Sequence, residues 1–90
     1  MPAAPVTVEF LGMARFRAGR SGVRATGGTV GELLRAVIVQ CPNLTGLMSD
    51  GDKLSRQYLV SFEGERFVDD AAEPVPAGCR VLILGADAGG

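Results

Sequence analysis

The 90-residue chain has no histidine and no tryptophan, a single lysine (Lys53) and only two cysteines, Cys41 and Cys79. Without histidine there can be no Ser-His-Asp or Cys-His nucleophile system. Two cysteines without histidine cannot build a Cys/His zinc set, and they are too few for a disulfide scaffold. They read as reduced structural thiols, with a sulfur-relay thiol as the alternative. No apolar run approaches the roughly 20 residues of a membrane span. The N-terminal "MPAAPVTVEF" lacks the charged start and continuous apolar stretch of a secretory signal. A cytoplasmic protein that contacts no membrane is the expectation. A formal net charge of −1 gives no electrostatic case for nucleic acid.

What is present describes one small globular domain. Hydrophobic residues make up 47% and charged residues 21% of the chain, values of an ordered protein that can bury a core. "VTVEFLG" alternates, with Val6, Val8 and Phe10 on one face and Thr7, Glu9 and Leu11 on the other, as in a half-buried strand. "MARFRAGRSG" reads as a loop, and "VRAT" (23–26) as a short strand that pairs back in a hairpin. Thr29 and Glu32 form the capping box T-x-x-E. Val30, Leu33, Leu34, Val37, Ile38 and Cys41 then follow at helical spacing, which predicts a helix over about 30–41, stopped by Pro42. Gly31 in its first turn is unexplained by the pattern. Residues 43–57 read as polar and turn-rich, with at most one helical turn near 44–48. "YLVSF" (58–62) and "ERFV" (65–68) read as a hairpin around Glu63-Gly64, and "CRVLIL" (79–84) as the last strand.

The order is β-β-α-β-β-β, an α+β layer in which one sheet face covers one main helix. Val6, Val8, Phe10, Leu33, Leu34, Val37, Ile38, Val60, Phe62, Val81 and Ile83 are the expected core. If Val81 and Ile83 face the helix, Leu82 and Leu84 face outward. Outward leucines on a small protein suggest a partner surface, unless a further loop covers them.

Several motifs dissolve on inspection. "GLMSDGDK" (46–53) mimics a phosphate loop, but Asp52 separates Gly51 from Lys53 and would repel phosphate. Asp50 and Asp52 lack the ligand glutamate of a calcium loop. Asp69-Asp70, Glu63 and Glu65 read as solvated turn residues. No metal site and no bound cofactor is expected.

The terminus is different. "LILGADAGG" ends on Gly89 and Gly90, which cannot pack or pair through a side chain. A Gly-Gly end can enter a narrow channel fully extended, because glycine has no Cβ. Behind it, Gly85, Ala86, Asp87 and Ala88 supply small residues that a partner's channel could hold. The terminal carboxylate is a poor electrophile, but as a mixed anhydride with AMP it becomes reactive toward a sulfur donor. The activating groups must then come from a partner enzyme.

The strand "VTVEFLG", the helix opening "TVGELL", the hairpin "YLVSFEGERF" and the ending "PAGCRVLILGADAGG" resemble the ubiquitin-like sulfur carriers of the MoaD/ThiS superfamily, from Val6 to Gly90. "GLMSDGDKLSRQYLVSFEGERFV" is most similar to the CysO-type carriers. Glu63-Gly64 stands where the family often has Asn-Gly, and Gly78-Cys79 where it often has Gly-Asp. The resemblance implies a β-grasp fold, with a mixed sheet of four to five strands on one helix, in a domain over 1–84 and a flexible tail over 85–90. It implies that Gly90, preceded by Gly89, is adenylated by an E1-like adenylyltransferase of the ThiF/MoeB type. That partner uses ATP and binds Leu82, Leu84 and residues 85–88. The thiocarboxylate then serves a sulfur-accepting synthase in the biosynthesis of cysteine, molybdopterin, thiamine or another sulfur-containing metabolite. A sulfurtransferase is a further possible partner. The chain is then no enzyme but a protein co-substrate. Two alternatives remain open: a ubiquitin-like modifier joined through Gly90 to target lysines, and a β-grasp binding module with an inert tail.

Overall fold

A computed structural model of the chain describes residues 4–49 and 53–85. Strand β1 (Val6–Leu11) leads into a short helix α1 (Met13–Ala18), strand β2 (Gly22–Ala25) and the main helix α2 (Val30–Gln40). A 3-10 helix (Pro42–Leu47), β3 (Met48–Ser49) and β4 (Lys53–Leu54) follow, and then β5 (Tyr58–Phe62), β6 (Arg66–Val68) and β7 (Arg80–Gly85). Five strands form one mixed sheet in the order β2-β1-β7-β5-β6, and β3-β4 is a separate pair. The last strand is central. It runs parallel to β1 and antiparallel to β5. This is the expected α+β β-grasp: a five-stranded sheet wrapped on one main helix.

Alternation along the strands sets the inner face. Val6, Val8, Phe10, Val60, Phe62, Val81 and Ile83 are buried, as are Leu33, Leu34 and Val37 on α2. Ile38 is half-buried and packs on the core edge. Helix α2 begins as its capping residues dictate. The Thr29 hydroxyl accepts from the Glu32 N–H at 3.3 Å, while the Glu32 carboxylate reaches back to the Gly28 N–H at 2.9 Å. Two further N–H groups of the first turn are satisfied by the loop after β6: Val30 donates to the Glu73 carbonyl and Gly31 to the Ala71 carbonyl, both at 2.9 Å. That contact explains Gly31. A Cβ there would lie 3.2 Å from both the Cβ and the carbonyl oxygen of Ala71, so glycine lets the loop close on the helix.

The structure departs from the sequence reading at the β3–β4 pair, inside the stretch 43–57 read as turn-rich, and in three further places. Residues 13–18, expected as loop, form α1: every residue of "MARFRA" tolerates a helix, and Gly19 closes it at φ 75°, its N–H donating to the Arg15 carbonyl. The glycines at 12, 19 and 22 masked this, because they bound the helix rather than interrupt it. Residues 42–47 form a 3-10 helix with Pro42 in its first turn, and Leu44 and Leu47 are buried beneath it. The proline that stops α2 therefore starts the next element. The last strand runs over 80–85 rather than 79–84, so Gly85, expected as the first tail residue, is a buried strand residue opposite Tyr58. Among the described residues no helix is long and apolar enough to cross a membrane.

Candidate functional site

The sheet face turned away from α2 is apolar around the end of β7. Leu84 stands in register with Leu11 on β1 and with Leu59 on β5, a row of three leucines across the three central strands. Leu11 and Leu59 are exposed, at 41% and 39%. Leu84 and Leu82 are half-buried, because the strand between two neighbours is shielded from both sides. Ser61 lies in register with both Leu82 and Phe67, and Phe67 is 63% exposed. Glu9 and Arg80, 3.3 Å apart, rim the face at its far end. Exposed apolar surface of this kind, bounded by charge, marks protein contact sites.

Leu82 and Leu84 thus lie on the outer face, as their alternation with Val81 and Ile83 predicts. Leu11, Leu59 and Phe67 join them, although sequence reasoning had not singled them out as site residues. The signal was present: each alternates with a core residue, Phe10, Val60 and Val68 respectively. Ala86, Asp87, Ala88, Gly89 and Gly90 lie outside the described residues.

The last described residue is held firmly. Gly85 is the final partner of Tyr58 in the β5–β7 ladder. Tyr58 is buried, and its hydroxyl accepts from the Arg17 guanidinium at 2.8 Å. The same guanidinium stands 5.8 Å from the ring centroid, within cation–π range. Arg17 thereby ties α1 to the strand position opposite Gly85.

The far end of the sheet is organised by Glu63. It adopts φ 58°, unusual for a residue with a Cβ, next to Gly64 at φ 74° in the β5–β6 turn. Its carboxylate accepts from the Arg80 N–H at 2.9 Å, and its own N–H donates to the Arg80 carbonyl at 2.7 Å. These bonds offset the backbone strain that Asn-Gly would avoid. Cys79 is buried beside this turn. Burial, and then the Glu63 charge, push its thiol up from the ordinary value. Cys41 is buried at the end of α2. Both are free thiols, as expected, and neither faces the apolar row. Among the described residues no group of acidic, cysteine or histidine side chains could hold a metal ion.

No protein-family model matches the chain, and no curated protein matches it. Solved structures do. Small archaeal modifier protein 1 of Haloferax volcanii is 24% identical, covering 97% of this chain and 100% of that one, with a TM-score of 0.79. Small archaeal modifier protein 1 of Methanosarcina acetivorans is 19% identical over 100% of this chain and 99% of that one, with a TM-score of 0.80. A chain of the Amycolatopsis orientalis BexX/CysO complex is 28% identical over 94% of this chain and 99% of its own length, with a TM-score of 0.76. The chain has the ubiquitin-like β-grasp fold of the small MoaD/ThiS-type carriers and modifiers. The resemblance read from "TVGELL", the hairpin and the last strand therefore holds at the level of the fold. That the CysO chain was solved in complex with BexX shows that a domain built this way docks on a partner protein.

Proposed function

We propose that the protein is a sulfur carrier, a protein co-substrate whose reactive group is the α-carboxylate of Gly90. The carrying observation is the leucine row Leu11–Leu84–Leu59, which sits at the end of β7 from which residues 86–90 continue toward Gly89-Gly90. An apolar platform at the root of a Gly-Gly segment suits a partner that grips the domain and takes the tail into a channel. The likeness to the CysO chain supports the same reading.

The chemistry asks little of this chain. In an E1-like adenylyltransferase of the ThiF/MoeB type, the Gly90 carboxylate attacks the α-phosphorus of ATP and pyrophosphate leaves. Sulfide then attacks the acyl carbon. AMP departs with the bridging oxygen, leaving a thiocarboxylate in which sulfur has replaced one oxygen. Where a sulfurtransferase persulfide is the nucleophile instead, an acyl disulfide forms and a thiol reductant must cleave its S–S bond to free the same product. A synthase uses that sulfur in making cysteine, molybdopterin, thiamine or another sulfur-containing metabolite. The carrier's own part is to dock through Leu82 and Leu84 and to present a terminus with no side chain to obstruct it. Carboxylate activation by a nucleotide-binding partner leaves no nucleotide site for this chain to build.

A second reading is favoured by the two neighbours named as modifier proteins. The same adenylate, attacked by a lysine amine instead of sulfide, would join the chain to a target protein. Carrier-dependent ATP–pyrophosphate exchange by the adenylyltransferase tests the step common to both readings. Exchange that starts only when the chain is added is the expected result. No exchange with an enzyme that is active on another carrier would contradict both and leave the inert-tail module.

A further inference from the structure

Helix α1 stands at the end of the sheet where β7 finishes. It starts just after Leu11, which pairs with Leu84, one residue before Gly85. Only Ala14 of its residues is buried. Phe16 is 78% exposed, and Met13 also faces solvent. Phe16 lines a concavity of about 460 Å³ together with Gly12, Arg15, Gly19, Arg20 and Ser21. The stretch 10–31 carries Arg15, Arg17, Arg20 and Arg24 and no acidic residue. Arg17 is engaged with Tyr58, and Arg24 lies toward the other end of the sheet, opposite Thr7. Two of the arginines elsewhere are matched by acids, Arg66 by Glu73 and Arg80 by Glu9. Arg15, Phe16 and Arg20 thus make a cationic, aromatic patch near the described end of β7. Arginine and aromatic side chains are the residues most enriched at protein contacts.

We propose that α1 is a second docking surface, made for a partner protein whose face is acidic and offers an apolar contact to Phe16. Leu11 and Met13 make it continuous with the leucine row, so one partner covers both. This rests on the carrier reading: the partner is the adenylyltransferase, and the acidic surface borders the mouth of its channel. A nucleic-acid partner is disfavoured by the net charge of −1. The attraction steers the carrier so that the tail arrives at the channel in register. Charges at the rim of an interface act on the encounter rate more than on the chemistry.

The test has two arms. In the first, the adenylyltransferase is purified from the host by its carrier-dependent pyrophosphate exchange, and KM and kcat for the carrier are measured. Arg15→Glu with Arg20→Glu, and separately Phe16→Ser, should each raise KM about tenfold and leave kcat within about twofold. Raising salt from about 0.05 to 0.5 M should raise KM for the parent chain but not for the double-charge variant. An unchanged KM, or a loss in kcat alone, overturns the proposal. The second arm needs no enzyme. Poly-L-glutamate is titrated into the labelled chain and amide shifts are followed by NMR. Shifts centred on residues 12–21, abolished in the double-charge variant, support the surface. Shifts spread evenly over Arg24, Arg66 and Arg80, or none, overturn it. Tighter binding of oligouridylate at residues 12–21 overturns the protein partner in favour of nucleic acid. If the parent chain is never adenylated the carrier reading fails, and this arm still decides whether α1 recognises acidic partners. The replaced side chains are exposed, and the dispersion of the same spectra reports that the variants are folded.

Discussion

Tyr58 lies opposite Gly85 in the last pair of the β5–β7 ladder, and its buried ring is held from above by Arg17 of α1. Three elements therefore meet at Gly85, the last described residue. This holds Gly85 with groups on α1 and β5.

Removing the tyrosine hydroxyl separates that link from the packing of the ring. Tyr58→Phe should cost about 0.5–1.5 kcal/mol in denaturant unfolding, the net worth of one ordinary hydrogen bond, because the Arg17 donor is exposed to solvent. Arg17→Leu should cost a similar amount, and the double variant should cost less than the sum. Strict additivity of the two changes would show that the pair is not coupled.

Leu34 is fully buried on α2. Leu34→Ala should destabilise the domain by about 2–5 kcal/mol in equilibrium unfolding, through lost burial and the cavity left behind. A loss below about 0.5 kcal/mol would mean that α2 presents a different face to the sheet.

The outer face should behave oppositely. Leu11→Ser and Leu59→Ser remove exposed side chains and should each change stability by no more than about 0.5 kcal/mol. Leu84→Asp, at a half-buried position between them, should cost about 1–2 kcal/mol. All three should weaken binding to the adenylyltransferase in calorimetric titration. Binding that survives all three would remove the leucine row from the site.

Cys79 provides a pH prediction. Its folded pKa is raised, chiefly by burial, so the folded state holds the thiol proton more tightly than the unfolded chain does. Its stabilising effect is fully present below the ordinary thiol value near about 8.5 and is lost as pH rises through the raised value. Stability should therefore sag on the alkaline side in the parent chain, and the sag should shrink in Cys79→Ala. Iodoacetamide at neutral pH should label the native protein slowly and the unfolded chain quickly. Rapid native labelling of Cys79 would revive the sulfur-relay reading of that thiol.

Much of this fold was legible because its elements announce themselves locally. The T-x-x-E box set the start of α2, and alternation in "VTVEF" set which of its residues face the core, whereas "YLVSF" and "RVLIL" carry apolar residues on both faces and gave only the pairing of residues two apart. Helix α1 was hidden because it buries only Ala14, so its sequence carries no apolar stripe to read. The reason for Gly31 was hidden too, since it depends on Ala71, forty residues away in the chain. The leucine row was half legible. Alternation placed Leu82 and Leu84 outward, but only the strand order and register bring Leu11 and Leu59 to either side of Leu84. Long-range register is decided by packing, which no local pattern encodes.

The central claim is that Gly90 carries sulfur. Its most direct test is the intact mass of the chain after incubation with the adenylyltransferase, ATP and sulfide, compared with the same chain lacking Gly90. The account predicts a gain of about 16 Da, oxygen replaced by sulfur, in the parent chain and none in the shortened one. A parent mass that stays unchanged while the enzyme charges another carrier, or a shortened chain that gains sulfur at the parent's rate, would contradict it.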